Sequence, residues 1–437
     1  MVLLALFMAC ACRAESEPDV FLVIVDTLRA DAVGYAGAPY DSSPHLDALV
    51  EDEAAWYSRA YSASSWTLAS TATLLTGRPP GGHGVVRAAK NPTCYGRLAE
   101  HVPTVQSMWK SRGYRTGAWI NNAFLAPEFG LDASFDVYDF DGAELIGHRT
   151  AAQTVDEALA WLDESDEPAF LLVHVMEPHA DYDPGPPFAG RFTTGMPSTI
   201  SVPLGGNLHT GWMTGMLPAP NAQDQAFVKA AYHEEVLAVD AAVNTLIEGM
   251  KKRDRWDDAM FVLTSDHGEE FWEHGRYEHG HTLRSEVTRV PLIVKAPAVE
   301  AGHRPGLIDA VSVSRALAAA DPELLKTTDA IWSENILYGP PSTSLVTETH
   351  RLEVHNKGKA LVLWELDEGA WEPAEWQPDN DATRSQAIAM RDELLQMRGS
   401  LGPAKPVNPT AIASADVFQM LRELGYLDGT NTAASCE

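Results

Sequence analysis

The chain has 437 residues, of which 45% are hydrophobic, with 12 Trp, 12 Tyr and 13 Phe. That excludes a disordered tail or a fibrous repeat and supplies a large apolar core. Lys and Arg total 32 against 61 Asp and Glu, for a formal charge of −29. No basic field exists for DNA or RNA, and an anionic substrate needs a local positive charge, for which a bound metal ion is the obvious candidate.

The opening MVLLALFMACAC is too short to span a bilayer. It reads as a secretory apolar segment with small residues before a cysteine, similar to a bacterial lipoprotein signal. Residues 1–18 are therefore read as a leader and tether. The chain is expected to be exported, as a periplasmic or outer-membrane lipoprotein anchored through a lipidated Cys10 or Cys12; an ordinary buried N-terminus is the alternative. The four cysteines form no disulfide framework, and Cys94 and Cys436 stand isolated.

The continuous apolar run Val20 to Val25 predicts a buried strand that ends at Asp26. Ser43-Pro44 predicts a helix start, with Leu46, Leu49 and Val50 on its apolar side. The hydroxyl-rich SASSW leads into a helix, TLASTATLLT, that ends at Gly77. Val105, Met108 and Trp109 predict a further helix, and Thr116 to Ile120 a strand. Val155, Leu159 and Leu162 set a helix over 152–163, followed by the strand Ala169 to Val175. Residues 184–221, rich in Pro, Gly, Ser and Thr, read as a long loop over the active face. Trp212 and Met216 in it are candidates to pack on a sugar or aryl group, or simply to pack. Next come an amphipathic helix through Tyr232, Val236, Val239, Val243, Leu246, Ile247 and Met250, then strands at Ala259 to Thr264 and Val290 to Val294.

This alternation predicts an α/β catalytic domain over 19–340, a three-layer α/β/α sandwich with a largely parallel central sheet. Short strands near Leu345-Val346, Arg351 to Val354 and Ala360 to Trp364, the Asn356-Lys357-Gly358 turn and a helix over 382–397 predict a small C-terminal antiparallel sheet subdomain over 341–437.

Ligands of such sheets bind beyond the carboxyl ends of the strands. Asp26 follows the first strand, Asp266-His267 follows MFVLT, and Thr67 opens a helix. Two carboxylates, an imidazole and a hydroxyl make a hard oxygen and nitrogen site for a divalent cation, which lowers the pKa of a bound oxygen acid. Each feature alone has a plainer reading as a turn or cap; their coincidence at strand ends and a helix start points to chemistry.

The stretches VIVDTLRADAVGYAG, SSWTLASTATLLTGRPPGGHGV, HVMEPHADYDPGPPF, SDHGEEFWEHGRYEHGHTLRSEVTRVPLIV and ELGYL together resemble the sulfatase family of the alkaline phosphatase superfamily. The resemblance implies Asp26, Asp266 and His267 as metal ligands, with Thr27 where the family has a second Asp. The family nucleophile, a Cys or Ser matured to formylglycine, falls on Thr67, and the motif's Pro, Ser and Arg fall on Ala69, Ser70 and Thr71. Thr cannot take that maturation route. A sulfated Thr lacks the aldehyde escape, whereas a phospho-Thr is readily hydrolysed or passed on, so phosphorus esters are favoured. Ser64, Ser65 and Ser70 are the alternative hydroxyls.

Among the histidines, His179 and His281 are candidates to assist the leaving group, and His174 and His279 to bind the anion. His279 or His281 stands in for a family Lys absent near Gly280. One divalent ion (Ca, Mg, Mn or Zn) is expected, with a second metal on Glu177, His179 and His281 as a variant. Arg29 and His83 are read as supports for the loop or the anion. The expected activity is metal-dependent hydrolysis of a small-molecule or glycan sulfate or phosphate ester. The alternatives are phosphotransfer from lipid or glycan head groups, and an inactive protein that binds sulfated or phosphorylated glycans.

Overall fold

The computed structural model describes residues 18–87, 94–140, 149–355, 360–366, 374–375, 381–400, 417 and 419. The leader with Cys10 and Cys12, the 356–358 turn, ELGYL and Cys436 lie outside the described residues.

The run VFLVIV forms β1 (Val20–Val25), fully buried along its length. Val20, Leu22 and Ile24 pack into one hydrophobic cluster and Phe21, Val23 and Val25 into another. Successive strand residues point to opposite faces, so a strand that is apolar throughout must be covered on both sides. The other members of this sheet are β2 (Ala55–Tyr61), β3 (Arg115–Trp119), β4 (Val137–Asp139), β5 (Ala169–Val175), β6 (Met260–Ser265), β9 (Arg289–Val290), β10 (Leu292–Lys295) and β11 (Gly302–Asp309). Its order is β11-β2-β10-β6-β1-β5-β3-β4, with β9 beside β2. The pairs around β1, β3 and β5 are parallel, while β10 runs antiparallel to both β6 and β2.

Helices α1 (Pro44–Asp52), α5 (Ala151–Leu162) and α7 (Ala222–Lys252) cover the face of Phe21. Helices α2 (Thr67–Thr76), α4 (Val105–Ser111) and α9 (Ala310–Ala319) cover the face of Val20. Short helices α3 (Pro80–His83) and α8 (Ser285–Thr288) and the hairpin β7 (Glu270–Phe271) with β8 (Tyr277–Glu278) complete this body. The three-layer α/β/α expectation holds, with a largely parallel sheet. A separate antiparallel sheet, β12 (Ala330–Glu334), β13 (Ser342–Thr347), β14 (His350–His355), β15 (Ala360–Glu365) and β16 (Ala374–Glu375), packs Leu345, Leu352 and Leu363 against α10 (Asp381–Ser400).

Two readings change. Residues 184–221 are not all loop: α6 (Gly206–Met213) lies within them. Its Trp212 is buried against Trp272 and Tyr277, with ring centroids at 5.2 and 5.7 Å, whereas Met216 is 73% exposed. Cys94, read as isolated, is disulfide-bonded. A single cysteine spacing carries no signal for such a pairing, because connectivity is set by the fold.

Candidate active site

Strand register assembles the floor of the site. Ile24 pairs with His174 on β5 and with Thr264 on β6. Asp26 and Asp266 lie two residues further along their strands, so period-two alternation sends Asp26, His174 and Asp266 to the face that α2 covers. All three are fully buried, and one ligand atom from each lies within 4.8 Å of the others. Among the described residues, no other such group of three is found. Asp26 Oδ1 and Asp266 Oδ2 have no hydrogen-bond partner. Burial and the charge of Asp266 push the Asp26 carboxyl well above its usual range, against the pull of the Asn122 amide. Two orphaned carboxylate oxygens beside an imidazole form a hard donor set that a divalent cation fits.

His267 joins this floor through its tautomer. Its Nδ1 lies 3.0 Å from the Gly268 carbonyl oxygen. A carbonyl only accepts, so Nδ1 carries the proton and Nε2 presents its lone pair. Nε2 lies 3.3 Å from Asp266 Oδ2, 3.8 Å from Asp26 Oδ1 and 3.3 Å from Thr67 Oγ1. The Thr27 backbone N–H, at φ 54°, donates to Asp266 Oδ1 over 3.3 Å.

Thr67 is the first residue of α2, and no side chain caps that helix. Its first-turn N–H groups are therefore available to an anion. The preceding Trp66 is pinned by its indole N–H to the Asn335 carbonyl at 2.9 Å. The Ser64 hydroxyl donates to Asn335 O and the Ser70 hydroxyl to Ser64 O. Both are thus tied to the main chain, whereas the Thr67 hydroxyl meets the His267 ring. Asn122, which the sequence reading did not single out, donates to Asp26 Oδ2 at 2.6 Å and to Thr67 Oγ1 at 3.4 Å. Its place just past the carboxyl end of β3 was the available signal.

The rim carries the remaining histidines. His174 sits with the floor carboxylates, Nε2 3.7 Å from Asp26 Oδ2, and burial lowers its pKa to about 4. The rings of His179 and His279 lie 5.1 Å apart, and those of His267 and His279 4.3 Å apart. His179 Nδ1 is 2.8 Å from Ala180 O, and His279 Nδ1 is 3.0 Å from Glu269 Oε1. Burial lowers the pKa of both rings and raises that of Glu269. His281 turns elsewhere: Nε2 lies 2.9 Å from Glu270 Oε2 and Nδ1 3.2 Å from His279 O. Glu177 Oε1 accepts the Ala151 N–H. Among the described residues, Glu177, His179 and His281 are not found as a ligand group. Arg29 pairs with Asp31 and Glu273, and the His83 ring meets the Thr73 hydroxyl of α2 at 3.2 Å; both brace the scaffold.

A family model described as Sulfatase matches residues 18–320. The chain is 25% identical over 312 residues to the ulvan-active sulfatase of Formosa agariphila, covering 65% of this chain and 57% of that protein. It is 21% identical to an arylsulfatase of Clostridium perfringens, covering 64% and 69%. Among solved structures, the phosphonate monoester hydrolase of Agrobacterium radiobacter superposes with a TM-score of 0.69 at 16% identity, over 88% of this chain and 96% of that one. A 2-O GAG sulfatase gives 0.69 at 17% identity, over 88% and 92%. The strand-end carboxylates, the threonine-headed helix and a family match across most of the sheet lead to one assignment: this chain belongs to the sulfatase family.

Proposed function

We propose that the protein is a metal-dependent hydrolase of sulfate or phosphate esters that uses Thr67 as nucleophile, with phosphorus esters preferred. The observation that carries this reading is the Thr67 hydroxyl 3.3 Å from His267 Nε2, an imidazole nitrogen that itself lies 3.3 Å from the orphaned Asp266 Oδ2 and 3.8 Å from the orphaned Asp26 Oδ1. Asp26, Asp266 and His267, with His174 beside them, would hold Ca, Mg, Mn or Zn, which when bound lowers the pKa of the hydroxyl and offsets substrate charge.

The chain's own groups divide the remaining work. Asn122 orients Thr67 Oγ1, and the first turn of α2 receives the non-bridging oxygens through its N–H groups. Thr67 Oγ, having lost its proton to solvent, attacks phosphorus in line, and the bond to the ester oxygen breaks. His279, held at Nδ1 by a protonated Glu269, gives its Nε2 proton to the leaving oxygen and recovers one from Glu269 at Nδ1. Water then hydrolyses the phospho-threonine. With His281 bound to Glu270, leaving-group assistance falls to His279 or His179 rather than to His281. The same intermediate admits a phosphotransferase, which added acceptor alcohols would reveal.

Export, with a lipid tether at Cys10 or Cys12, belongs to the same proposal. The disulfide at Cys94 supports an oxidising compartment. Among the described residues, no helix is long and apolar enough to cross a membrane. A parallel assay of aryl sulfate, aryl phosphate monoester, diester and phosphonate, with metal added back after chelation, tests the reading. Turnover of at least one ester that vanishes on chelation is expected; metal-independent turnover, or none, defeats it.

A further inference from the structure

His209, on α6 inside the 184–221 segment, lies between two acidic side chains from different segments. Its Nδ1 lies 3.0 Å from Asp181 Oδ1, and its Nε2 forms an ion pair with Glu278 Oε1. Asp181 is two residues after His179, and Glu278 directly precedes His279, so one imidazole ties together the two segments that carry the rim histidines. His209 and Glu278 are both over nine-tenths buried, and the ring also packs edge-on against Tyr277 at 6.1 Å. A carboxylate oxygen faces each ring nitrogen, an arrangement that favours positive charge on the imidazole. Burial opposes that charge, but Glu278 and Asp181 overcome it and hold the ring cationic, with a pKa raised to about 10. The charged and titratable groups facing it are Asp181 and Glu278, with Tyr277 at the ring edge and His179, His279 and Glu269 beyond them.

We propose that His209 is a counter-ion supplied by the 184–221 segment: its single positive charge offsets the Glu278 carboxylate, one of the two that face it, beside the rim histidines, so that an anionic sulfuryl or phosphoryl group can enter. The argument is electrostatic. On a chain of charge −29, a buried carboxylate next to His279 repels the anion that the site must admit. This deepens the hydrolase reading and rests on it for the identity of the anion. It also makes the 184–221 segment part of substrate recognition rather than a passive cover. His209 acts through its neighbours and is a positioning residue.

The test uses inorganic phosphate and inorganic sulfate as probes, with affinity measured by calorimetry on the metal-loaded protein, so that no turnover is needed. His209→Gln is expected to weaken binding of the tighter anion by about tenfold or more, and to raise the KM of any hydrolysed ester more than it lowers kcat. His209→Gln/Glu278→Gln, which removes both charges, is expected to recover most of that affinity. Glu278→Gln alone is expected to bind the anion more tightly than the unaltered protein, which keeps the test decisive should His209→Gln fail to fold. Unchanged affinity in His209→Gln, no recovery in the double variant, or weaker binding in Glu278→Gln overturns the proposal. Anion binding without turnover of any ester would instead defeat the hydrolase reading and leave these comparisons intact.

Discussion

The floor of the site and its rim are built in different ways. The floor takes Asp26, His174 and Asp266 from neighbouring strands β1, β5 and β6, whose register alone brings them side by side. The rim takes His179, His209 and His279 from a loop, a short helix and the end of a two-residue strand, joined by ion pairs and ring contacts. The floor is a property of the sheet and is rigid because the sheet is; the rim exists only while its own polar contacts hold it. On the proposed reading, reaction chemistry sits on the sheet, and discrimination between substrates on the part that can be rebuilt.

Disabling the floor is expected to have the largest effect. Thr67→Ala should lower kcat by about 10⁴-fold or more and abolish any phosphoryl adduct at position 67 seen by mass spectrometry after substrate. A Thr67→Ala protein with full turnover would leave the floor without its nucleophile. Thr67→Ser should keep measurable activity.

Charge removal sharpens the contrast through stability instead of rate. The orphaned Asp26 and Asp266 carboxylates repel each other when no cation lies between them. Chelation should therefore lower Tm, and Asp266→Asn should raise the Tm of the chelated protein while abolishing its response to added metal. A chelated Asp266→Asn protein that melts lower than the chelated wild type would show that no such repulsion exists.

A smaller loss is expected at Asn122, which braces both Asp26 and Thr67. Asn122→Ala should cost about 10- to 100-fold in kcat or metal affinity, the usual price of a lost outer hydrogen bond to a ligand. An equal loss for His281→Gln would be unexpected, since His281 is occupied by Glu270 and the His279 carbonyl.

The smallest effect concerns acid stability away from both regions. Burial lowers the His83 pKa to about 3 from 6.5. The unfolded chain therefore binds a proton below about pH 6.5 that the folded chain refuses until about pH 3. Stability should fall with decreasing pH across that window, by up to about 1.4 kcal/mol per pH unit from this residue. His83→Gln should flatten that slope in denaturant titrations run at successive pH values; an unchanged slope would remove His83 as a source of it.

What was legible in the sequence follows the same division. VFLVIV with Asp26, MFVLTS with Asp266 and the strand ending near His174 were readable, because a buried parallel strand is an apolar run and its ligand-bearing end is fixed by topology. Thr67 was readable as a helix start. The rim was not. The β7–β8 register that sets Glu270 opposite Glu278, and so brings Glu269 to His279 and Glu270 to His281, depends on a hairpin too short for periodicity to reveal. Helix α6 was hidden among Gly205, Gly206, Gly211 and Gly215, residues that oppose helix formation, and it is held by the burial of Trp212 and His209 instead. Strands β2 and β11 escaped notice as well: AWYSRAY mixes polar with aromatic residues, and GHRPGLID carries a Pro and two Gly.

Cys94 sits next to Tyr95, whose ring packs 6.0 Å from Trp66, the residue just ahead of Thr67. A covalent cross-link therefore terminates within two side chains of the Thr67 hydroxyl. On the proposed reading, reductants added as routine protectants during purification would reach, through that aromatic stack, the start of the helix that Thr67 heads, and preparations made with and without them should be treated as different samples.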